Sequence, residues 1–264
     1  EQLWLWHLFL YIGDYSMTAT MNYFPTTVID NFFVEPHKVV DMTRQDNIVW
    51  NPATDGSWPG MRSQMVHEIN PEFFVYYMQR YLSHFYPWDQ IRNRQDGFGF
   101  TATAFFQRVP PKHNVPWVHS DFPVRHTIIT YLNESFSPTG GTSIYEAKTH
   151  GVHMGGHTEK MKEDFYSGRI TKEEAEPARL QNNNQFVEST KVAAKFNRTV
   201  GFDSSNWHAM HDHSEDEFGE DRLTMITFLH HVTGADYPLT NSKQYPFFWD
   251  QPTGRETQVE NWHI

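Results

Sequence analysis

The sequence lacks cysteine and is poor in positive charge, and both absences exclude classes of protein. Without cysteine there can be no disulfide bridges and no thiolate metal sites. This fits a reducing compartment, so we expect a cytoplasmic protein. The 32 Asp and Glu residues outnumber the 21 Lys and Arg residues, which gives a formal net charge of −11. Because nucleic-acid-binding domains usually carry a basic stripe, we expect no nucleic-acid partner.

Long hydrophobic runs are also missing. The most apolar stretch, residues 3–12, is much shorter than the ~20 residues that a transmembrane helix needs. It also lacks the basic start and the small-residue cleavage site of a signal peptide. We therefore expect no membrane association and expect this stretch to pack on the domain. A second interpretation is that Met17 or Met21 is the natural start of the chain.

Aromatic residues are plentiful, at 16% of the sequence, so the chain can bury a sizeable core. Its 264 residues fit one domain. We expect an N-terminal helical support over about residues 28–97, a β core over about 98–235 and a C-terminal tail over 236–264. In the support, apolar residues recur at helical spacing from Pro71 to Tyr86, and a shorter helix is expected near Glu35–Arg44.

Strand patterns dominate after residue 97. They cover residues 98–109, 124–132, 142–145, 199–202 and 223–232. Short strands separated by Gly and Pro signals, and preceded by helices, predict a mainly β fold with flanking helices and a double-stranded β-helix (jelly-roll, cupin-like) core.

Residues 147–197 interrupt this strand pattern with a polar stretch. Thr171 and Glu174 have the spacing of a capping box that opens a short helix. We interpret the stretch as an insertion between barrel strands. Such an insertion can be a lid over the site or a surface excursion without a role, and the sequence leaves both possibilities open.

The most informative motif is His119-Ser120-Asp121 with a later histidine. A lone His-x-Asp is weak evidence, because about one match is expected by chance in a chain of this composition. Here the pair follows a strand-like approach, and residues i and i+2 of an extended segment point to one side. Two histidines and one carboxylate can hold Fe(II) and leave positions open for a co-substrate and O₂. We therefore predict a metal site at His119, Asp121 and a distal histidine.

The distal histidine has three candidates: His208, His211 and His213. We favour His208 because it lies closest to the end of the strand predicted at 199–202. His211 and His213 stand beside the acidic run at 215–217, which is typical of a solvated loop.

Arg222 and Thr224 share one face of the last predicted strand, so they can bind a carboxylate together. Arginine suits this task because its guanidinium can pair with a carboxylate in a bidentate manner. Tyr131 is a third candidate there, although it could equally be barrel packing. Arg62, in the stretch Pro59-Gly60-Met61-Arg62-Ser63, could reach the cleft and meet an anionic substrate group, or could be a structural arginine in a turn.

Several of these motifs together resemble those of the 2-oxoglutarate/Fe(II)-dependent oxygenase superfamily, which includes the prolyl 4-hydroxylases, and in more detail an uncharacterised bacterial and phage branch of it. The stretches that carry the resemblance are residues 28–33, 59–63, 117–121, 131–133, 140–143, 197–198, 207–208, 218–219 and 221–224. In the collagen-type prolyl hydroxylases a lysine usually holds the co-substrate, whereas this chain has an arginine.

The resemblance implies a jelly-roll core, iron at His119, Asp121 and His208, and 2-oxoglutarate at Arg222, Thr224 and Tyr131. The expected activity is that of a dioxygenase that couples oxidative decarboxylation of 2-oxoglutarate to hydroxylation of a substrate. The substrate would be a small molecule, an amino acid or a peptide, and a homodimer is possible. Two alternatives stay open: a cupin-like metalloenzyme without 2-oxoglutarate, and a non-catalytic jelly-roll binding module.

Overall fold

A computed structural model describes most of the chain. The described residues are 23–113, 115–135, 140–149, 151–152, 154–210 and 221–240. The apolar stretch 3–12, the alternative start sites, the histidines His211 and His213 and the tail beyond residue 240 lie outside them. Within the described residues, no helix is both long and apolar enough to cross a membrane.

Ten strands and six α-helices make up the described fold. The strands are β1 (Thr27–Ile29), β2 (Asn51–Pro52), β3 (Met61–Met65), β4 (Gly99–Val109), β5 (His126–Tyr131), β6 (Gly141–Ala147), β7 (Phe186–Ala193), β8 (Thr199–Asp203), β9 (Trp207–Met210) and β10 (Arg222–Thr233). The helices are α1 (Pro36–Met42), α2 (Val66–Ile69), α3 (Pro71–Leu82), α4 (Trp88–Asn93), α5 (Gly156–Tyr166) and α6 (Lys172–Asn183).

The strands form two antiparallel sheets. The larger has the order β1-β8-β5-β10-β4-β3-β2 and the smaller the order β7-β6-β9. An isolated antiparallel bridge pairs His119 with His208 of β9, so the segment around His119 takes the place of a fourth strand in the smaller sheet. From β4 onward the chain therefore visits the two sheets in the order of an eight-stranded jelly roll. The predicted mainly β fold with flanking helices and a double-stranded β-helix core is confirmed.

Helix α3 covers the outer face of the larger sheet. Asn70 caps it by accepting a hydrogen bond from the Phe73 amide at 2.9 Å, and Pro71 occupies the first turn, where its missing N–H costs nothing. The apolar residues that recur at helical spacing pack into the core, and the Tyr77 hydroxyl is 2.9 Å from the Thr227 hydroxyl of β10. The helix ends at Leu82 rather than at Tyr86, and α4 follows as a separate helix.

The predicted insertion at 147–197 is too long. Its last part is β7, a full strand of the smaller sheet that pairs with β6, so only about residues 148–185 leave the barrel. Strand β7 is an edge strand whose middle five residues are exposed, so its sequence is polar and gives no alternating signal. Helices α5 and α6 lie between β6 and β7, and the predicted Thr171/Glu174 capping box opens α6.

Candidate metal and co-substrate site

Three side chains of metal-binding type meet between the two sheets. His119 and His208 exchange backbone hydrogen bonds of 3.0 and 2.8 Å, which places their rings 4.4 Å apart. The Nε2 atom of His208 is 3.3 Å from Oδ2 of Asp121, and that of His119 is 3.7 Å from Oδ1. One ligand atom of each residue lies within 4.8 Å of the others, so the group could hold a metal ion.

The orientation of both imidazoles fits metal binding. Nδ1 of His119 lies 2.8 Å from the carbonyl oxygen of Trp117, and Nδ1 of His208 lies 3.0 Å from that of Asn206. A carbonyl can only accept, so each Nδ1 carries the proton and donates. In this tautomer the neutral form of the ring has its lone pair on Nε2, the atom that faces Asp121. A backbone partner that fixes the tautomer in this way is a common feature of histidine ligands.

The carboxylate of Asp121 is held in its ionised form. Its Oδ2 accepts a 2.7 Å hydrogen bond from the Thr127 hydroxyl, which also lies 2.8 Å from the Ser204 hydroxyl. Burial acts to raise the pKa of Asp121, but the His208 and His119 rings and Thr127 together hold it well below its usual range. Burial lowers the pKa of His119 to about 3. At neutral pH the carboxylate is therefore charged and His119 is neutral, the forms that bind a metal.

The segment before His119 is positioned by asparagines of α6. Val118 donates its amide to Oδ1 of Asn183 at 3.0 Å, and Nδ2 of Asn183 donates to the Pro116 carbonyl at 2.9 Å. Asn182, fully buried, donates to the Val118 carbonyl at 2.8 Å. These amides replace the sheet partners that the irregular segment lacks. The sequence showed only a polar run, and nothing local in it indicated which backbone the run would bind.

Arg222 starts β10 and is only 8% exposed. Its Cζ atom is 5.7 Å from the centroid of the Tyr131 ring, and its Nε atom is buried without a hydrogen-bond partner. No ion pair joins it to a carboxylate of the described residues. Burial lowers the pKa of Arg222, and Tyr131 opposes the shift. A buried guanidinium without an acid partner is costly and suits an anionic ligand.

Asn133 fixes the backbone on both sides of Arg222. Its Nδ2 donates to the Asp221 carbonyl at 2.9 Å, and its Oδ1 accepts the Leu223 amide at 2.6 Å. Asn133 ends the stretch 131–133, one of those that carry the family resemblance. In the structure its side chain sets the position at which β10 begins, and with it the direction of the arginine.

Thr224 and Tyr131 lie directly opposite each other on β10 and β5, on the face that also carries Arg222. The Thr224 hydroxyl is buried without a hydrogen-bond partner, and the Tyr131 hydroxyl is 2.7 Å from that of Thr142. Both side chains are completely buried, and neither is among the described residues that line the cavity beside Arg222. Their predicted contact with a co-substrate stays a prediction.

A cavity of about 320 Å³ connects these groups. His119, Asp121, His208 and Arg222 all line it. Two further cations line it as well: Arg62 of β3, which the sequence offered either as a cleft residue or as a structural one, and Lys162 of α5, which sequence reasoning missed. Lys162 stands in a polar helix outside every motif, so the sequence carries no signal that would have found it.

Comparison with solved structures finds similar proteins among oxygenases. One is HygX from Streptomyces hygroscopicus, with nickel and 2-oxoglutarate bound, at 14% identity and a TM-score of 0.48, covering 78% of this chain and 82% of that one. Another is a prolyl 4-hydroxylase from Pseudomonas putida, at 15% identity and a TM-score of 0.41, covering 78% and 92%. A prolyl 4-hydroxylase from Phytophthora capsici matches at 15% identity and a TM-score of 0.42 over 79% of this chain, which spans 59% of that protein's length.

Comparison of sequences gives two results. No curated protein sequence matches the chain. The model of a family of unknown function, DUF6445, matches residues 16–229, which is most of the chain. The protein therefore belongs to the family DUF6445.

Proposed function

We propose that this protein is an Fe(II)- and 2-oxoglutarate-dependent oxygenase that hydroxylates a small substrate. One observation carries the proposal: the triad His119, Asp121 and His208 lines the same cavity as the buried guanidinium of Arg222, which has no acid partner among the described residues. Two imidazoles and one carboxylate on one side of a metal are the donor set of non-haem iron oxygenases. The similarity to HygX and to prolyl 4-hydroxylases agrees with this class, although the proposal does not depend on it.

Each residue has a part in this proposal. His119, Asp121 and His208 would hold Fe(II), which, with 2-oxoglutarate and O₂, supplies an oxidation that converts the co-substrate to succinate and CO₂ and hydroxylates the substrate. Arg222 would pair with the far carboxylate of 2-oxoglutarate, with Thr224 as a further donor. Tyr131, which lies beside the guanidinium, would keep it in place. The protein thus supplies binding, orientation and exclusion of water, while the metal supplies the oxidising power.

The cavity limits the substrate. Its volume of about 320 Å³ is at the small end of ligand pockets, which measure roughly 300–1,000 Å³. Because the co-substrate also has to fit, we expect a small molecule, a free amino acid or one side chain of a peptide rather than a folded surface.

Anaerobic titrations test this function. Fe(II) should bind to the protein, and 2-oxoglutarate added afterwards should produce a visible charge-transfer absorption and a calorimetric signal. His119→Ala and His208→Ala should abolish metal binding, whereas His67→Ala, on the exposed face of α2, should not. Arg222→Met should retain the metal and lose 2-oxoglutarate.

Other results would favour the alternatives. A wild-type protein that binds metal without affinity for 2-oxoglutarate would be a cupin-like metalloenzyme. Absence of metal binding even at excess Fe(II) would leave a non-catalytic jelly-roll module. The position of Arg222 argues against the cupin-like alternative, which has no use for a buried guanidinium in the metal cavity.

A further inference from the structure

We propose that Arg62 and Lys162 form an anion-binding subsite for the substrate, so that the molecule to be oxidised carries a carboxylate or phosphate group. This inference deepens the proposed function and rests on it. It assigns a role to two cations of the cavity that the metal and 2-oxoglutarate leave without a partner.

Arg62 is held in the cavity by aromatic rings. Its Cζ atom lies 4.6 Å from the centroid of the Trp58 ring, 5.4 Å from that of Phe228 and 5.6 Å from that of Phe105. Its Nε atom is buried without an acceptor, and no described carboxylate forms an ion pair with it. Stacking against ring faces fixes a guanidinium and leaves its N–H edge free to bind a planar anion.

The turn that precedes β3 determines where Arg62 lies. Gly60 has a φ of +69°, and a Cβ atom there would lie 2.0 Å from the Arg108 carbonyl oxygen. The stretch 59–63 therefore needs glycine in order to bring β3 against β4. Arg62 then lies opposite Gln107, which in turn is opposite Thr224 of β10. Arg62 therefore lies in the same row across the sheet as Thr224, one of the residues proposed to bind the co-substrate.

Lys162 lines the same cavity as Arg62. It belongs to α5, is half-buried and makes no ion pair with a described carboxylate. Burial lowers the pKa of Lys162, the carboxylates of Asp121, Glu159 and Glu163 raise it, and Arg62 lowers it by a smaller effect. The lysine is thus within electrostatic reach both of the metal-binding carboxylate and of the second cation.

The charges of the cavity do not balance without a further anion. Its described lining has three cations, Arg62, Lys162 and Arg222, but only one carboxylate, Asp121. In the proposed complex the two positive charges of Fe(II) and the one of Arg222 are matched by Asp121 and the two carboxylates of 2-oxoglutarate. Arg62 and Lys162 then remain as two partly buried positive charges, in a protein whose net charge is −11. Unpaired buried charge is expensive, so an anionic partner is expected.

Hydrogen-bonding groups show the same imbalance. The indole N–H groups of Trp58 and Trp117, which also line the cavity, are buried without an acceptor, as is Nε of Arg62. A ligand rich in acceptor oxygens would satisfy these donors, as a carboxylate or a phosphate does. The indole rings offer an apolar wall for the rest of a small molecule.

A purely supporting role for Arg62 explains less. An arginine that only stabilised Asp121 would bond to its oxygens, yet those oxygens lie against Thr127 and the two histidines. A supporting arginine would also not need a second cation from a separate helix. The free N–H edge of Arg62 and the second cation both fit a ligand.

Calorimetry on the full chain tests the subsite. The protein is loaded with Ni(II), which prevents oxidation, and with saturating 2-oxoglutarate, and is then titrated with phenylacetate, with its neutral isostere phenylacetamide and with inorganic phosphate. We expect phenylacetate or phosphate to bind, and phenylacetamide to bind at least tenfold more weakly than phenylacetate. Phenylacetate and phosphate together distinguish a carboxylate from a phosphate preference.

Variants locate the bound anion. Arg62→Met and Lys162→Met should each weaken anion binding at least tenfold while 2-oxoglutarate still binds, since loss of one member of a buried charge pair is costly. Arg62→Lys, which keeps the charge, should retain part of the affinity and guards against a folding defect. Arg108→Met is the matched control, because Arg108 stacks on Trp50 at 4.1 Å outside the cavity and its loss should change nothing.

The outcomes separate the two proposals. Equal affinity for phenylacetate and its amide together with no binding of phosphate, or unchanged anion binding by both methionine variants, would overturn the subsite. Loss of 2-oxoglutarate affinity in both variants would show instead that these cations hold the co-substrate, which also overturns it. Failure of the wild type to bind metal and 2-oxoglutarate would reject the proposed function, and the anion titration on the metal-free protein would still decide whether the subsite exists.

Discussion

Replacing Arg222 with methionine should make the ligand-free protein more stable and should remove its affinity for 2-oxoglutarate. Arg222 is 8% exposed, its Nε atom has no hydrogen-bond partner, and no described acid pairs with it. Replacement of a buried ion pair by apolar groups of similar volume is often neutral or stabilises by about 1–4 kcal/mol, and a buried charge without an acid partner lacks even the Coulombic gain of such a pair. For a domain of this size each kcal/mol shifts the melting temperature by about 2–4 °C. We therefore expect the metal-free, ligand-free variant to melt several degrees higher.

The ligand-bound state should show the opposite order. In the presence of Ni(II), a ligand at a hundred times its dissociation constant stabilises the wild type by about 2.7 kcal/mol, or roughly 5–10 °C at this size. Arg222→Met should lose this shift, because a buried carboxylate without its guanidinium forfeits several kcal/mol. Arg222→Lys should keep a smaller shift, since lysine retains the charge but not the bidentate geometry.

Differential scanning fluorimetry with and without 2-oxoglutarate measures both effects on the same samples. A methionine variant that melts lower than the wild type without ligand would mean that the guanidinium already has a compensating partner. A methionine variant that retains the full ligand shift would mean that the co-substrate carboxylate binds elsewhere. Either result would refute the claim that Arg222 has no partner in the ligand-free protein and binds a carboxylate of 2-oxoglutarate.

Three further predictions concern the support of the site. Asn183→Ala removes two hydrogen bonds to the segment before His119, so the metal affinity measured by calorimetry should fall about 10–100-fold, as it does when residues that orient metal ligands are replaced in other proteins. The control is Asn184→Ala, at the exposed neighbouring position, and this variant should bind metal as the wild type does. Burial lowers the pKa of His126 to about 3, so below pH ~6.5 the unfolded state binds a proton at this residue and the folded state does not. The free energy of unfolding in urea titrations should therefore be highest above pH ~6.5 and should fall by about 2 kcal/mol between that pH and pH 5. His126→Gln should reduce this dependence on pH. Gly201→Ala would place a Cβ 1.8 Å from the buried Tyr81 hydroxyl, so it should cost about 3 kcal/mol or more in the same assay; a cost below about 1 kcal/mol would contradict this.

The sequence predicted the strands that carry the site because their signals are local. Strands β4, β5 and β10 alternate or are rich in β-branched residues, and the structure has them within about two residues of the predicted bounds. Period-two spacing also placed Arg222 and Thr224 on one face. By contrast, β7 and β9 were missed: β7 because its exposed middle is polar, and β9 because it has only four residues.

The sequence could single out His119, Asp121 and His208 as candidate metal ligands because such side chains can be recognised by their type and their order along the chain. The geometry could not be read in the same way. That His119 and His208 pair backbone to backbone depends on the folding of the barrel, which brings together residues 89 positions apart. The choice of His208 among three histidines was a prediction from proximity to a strand, and the structure places that ring beside Asp121.

The amino-acid sequence by itself determined the residue types, their order along the chain and the faces on which they stand, because a strand fixes orientation every two residues. Only the tertiary structure decided which distant groups share a cavity. Arg62, Lys162 and Asn183 come from an early strand and from two helices outside the barrel, and no local periodicity links them to the triad. Their roles arise from contacts across the fold, where burial leaves charges and donors without partners, and that condition exists only once the chain has folded.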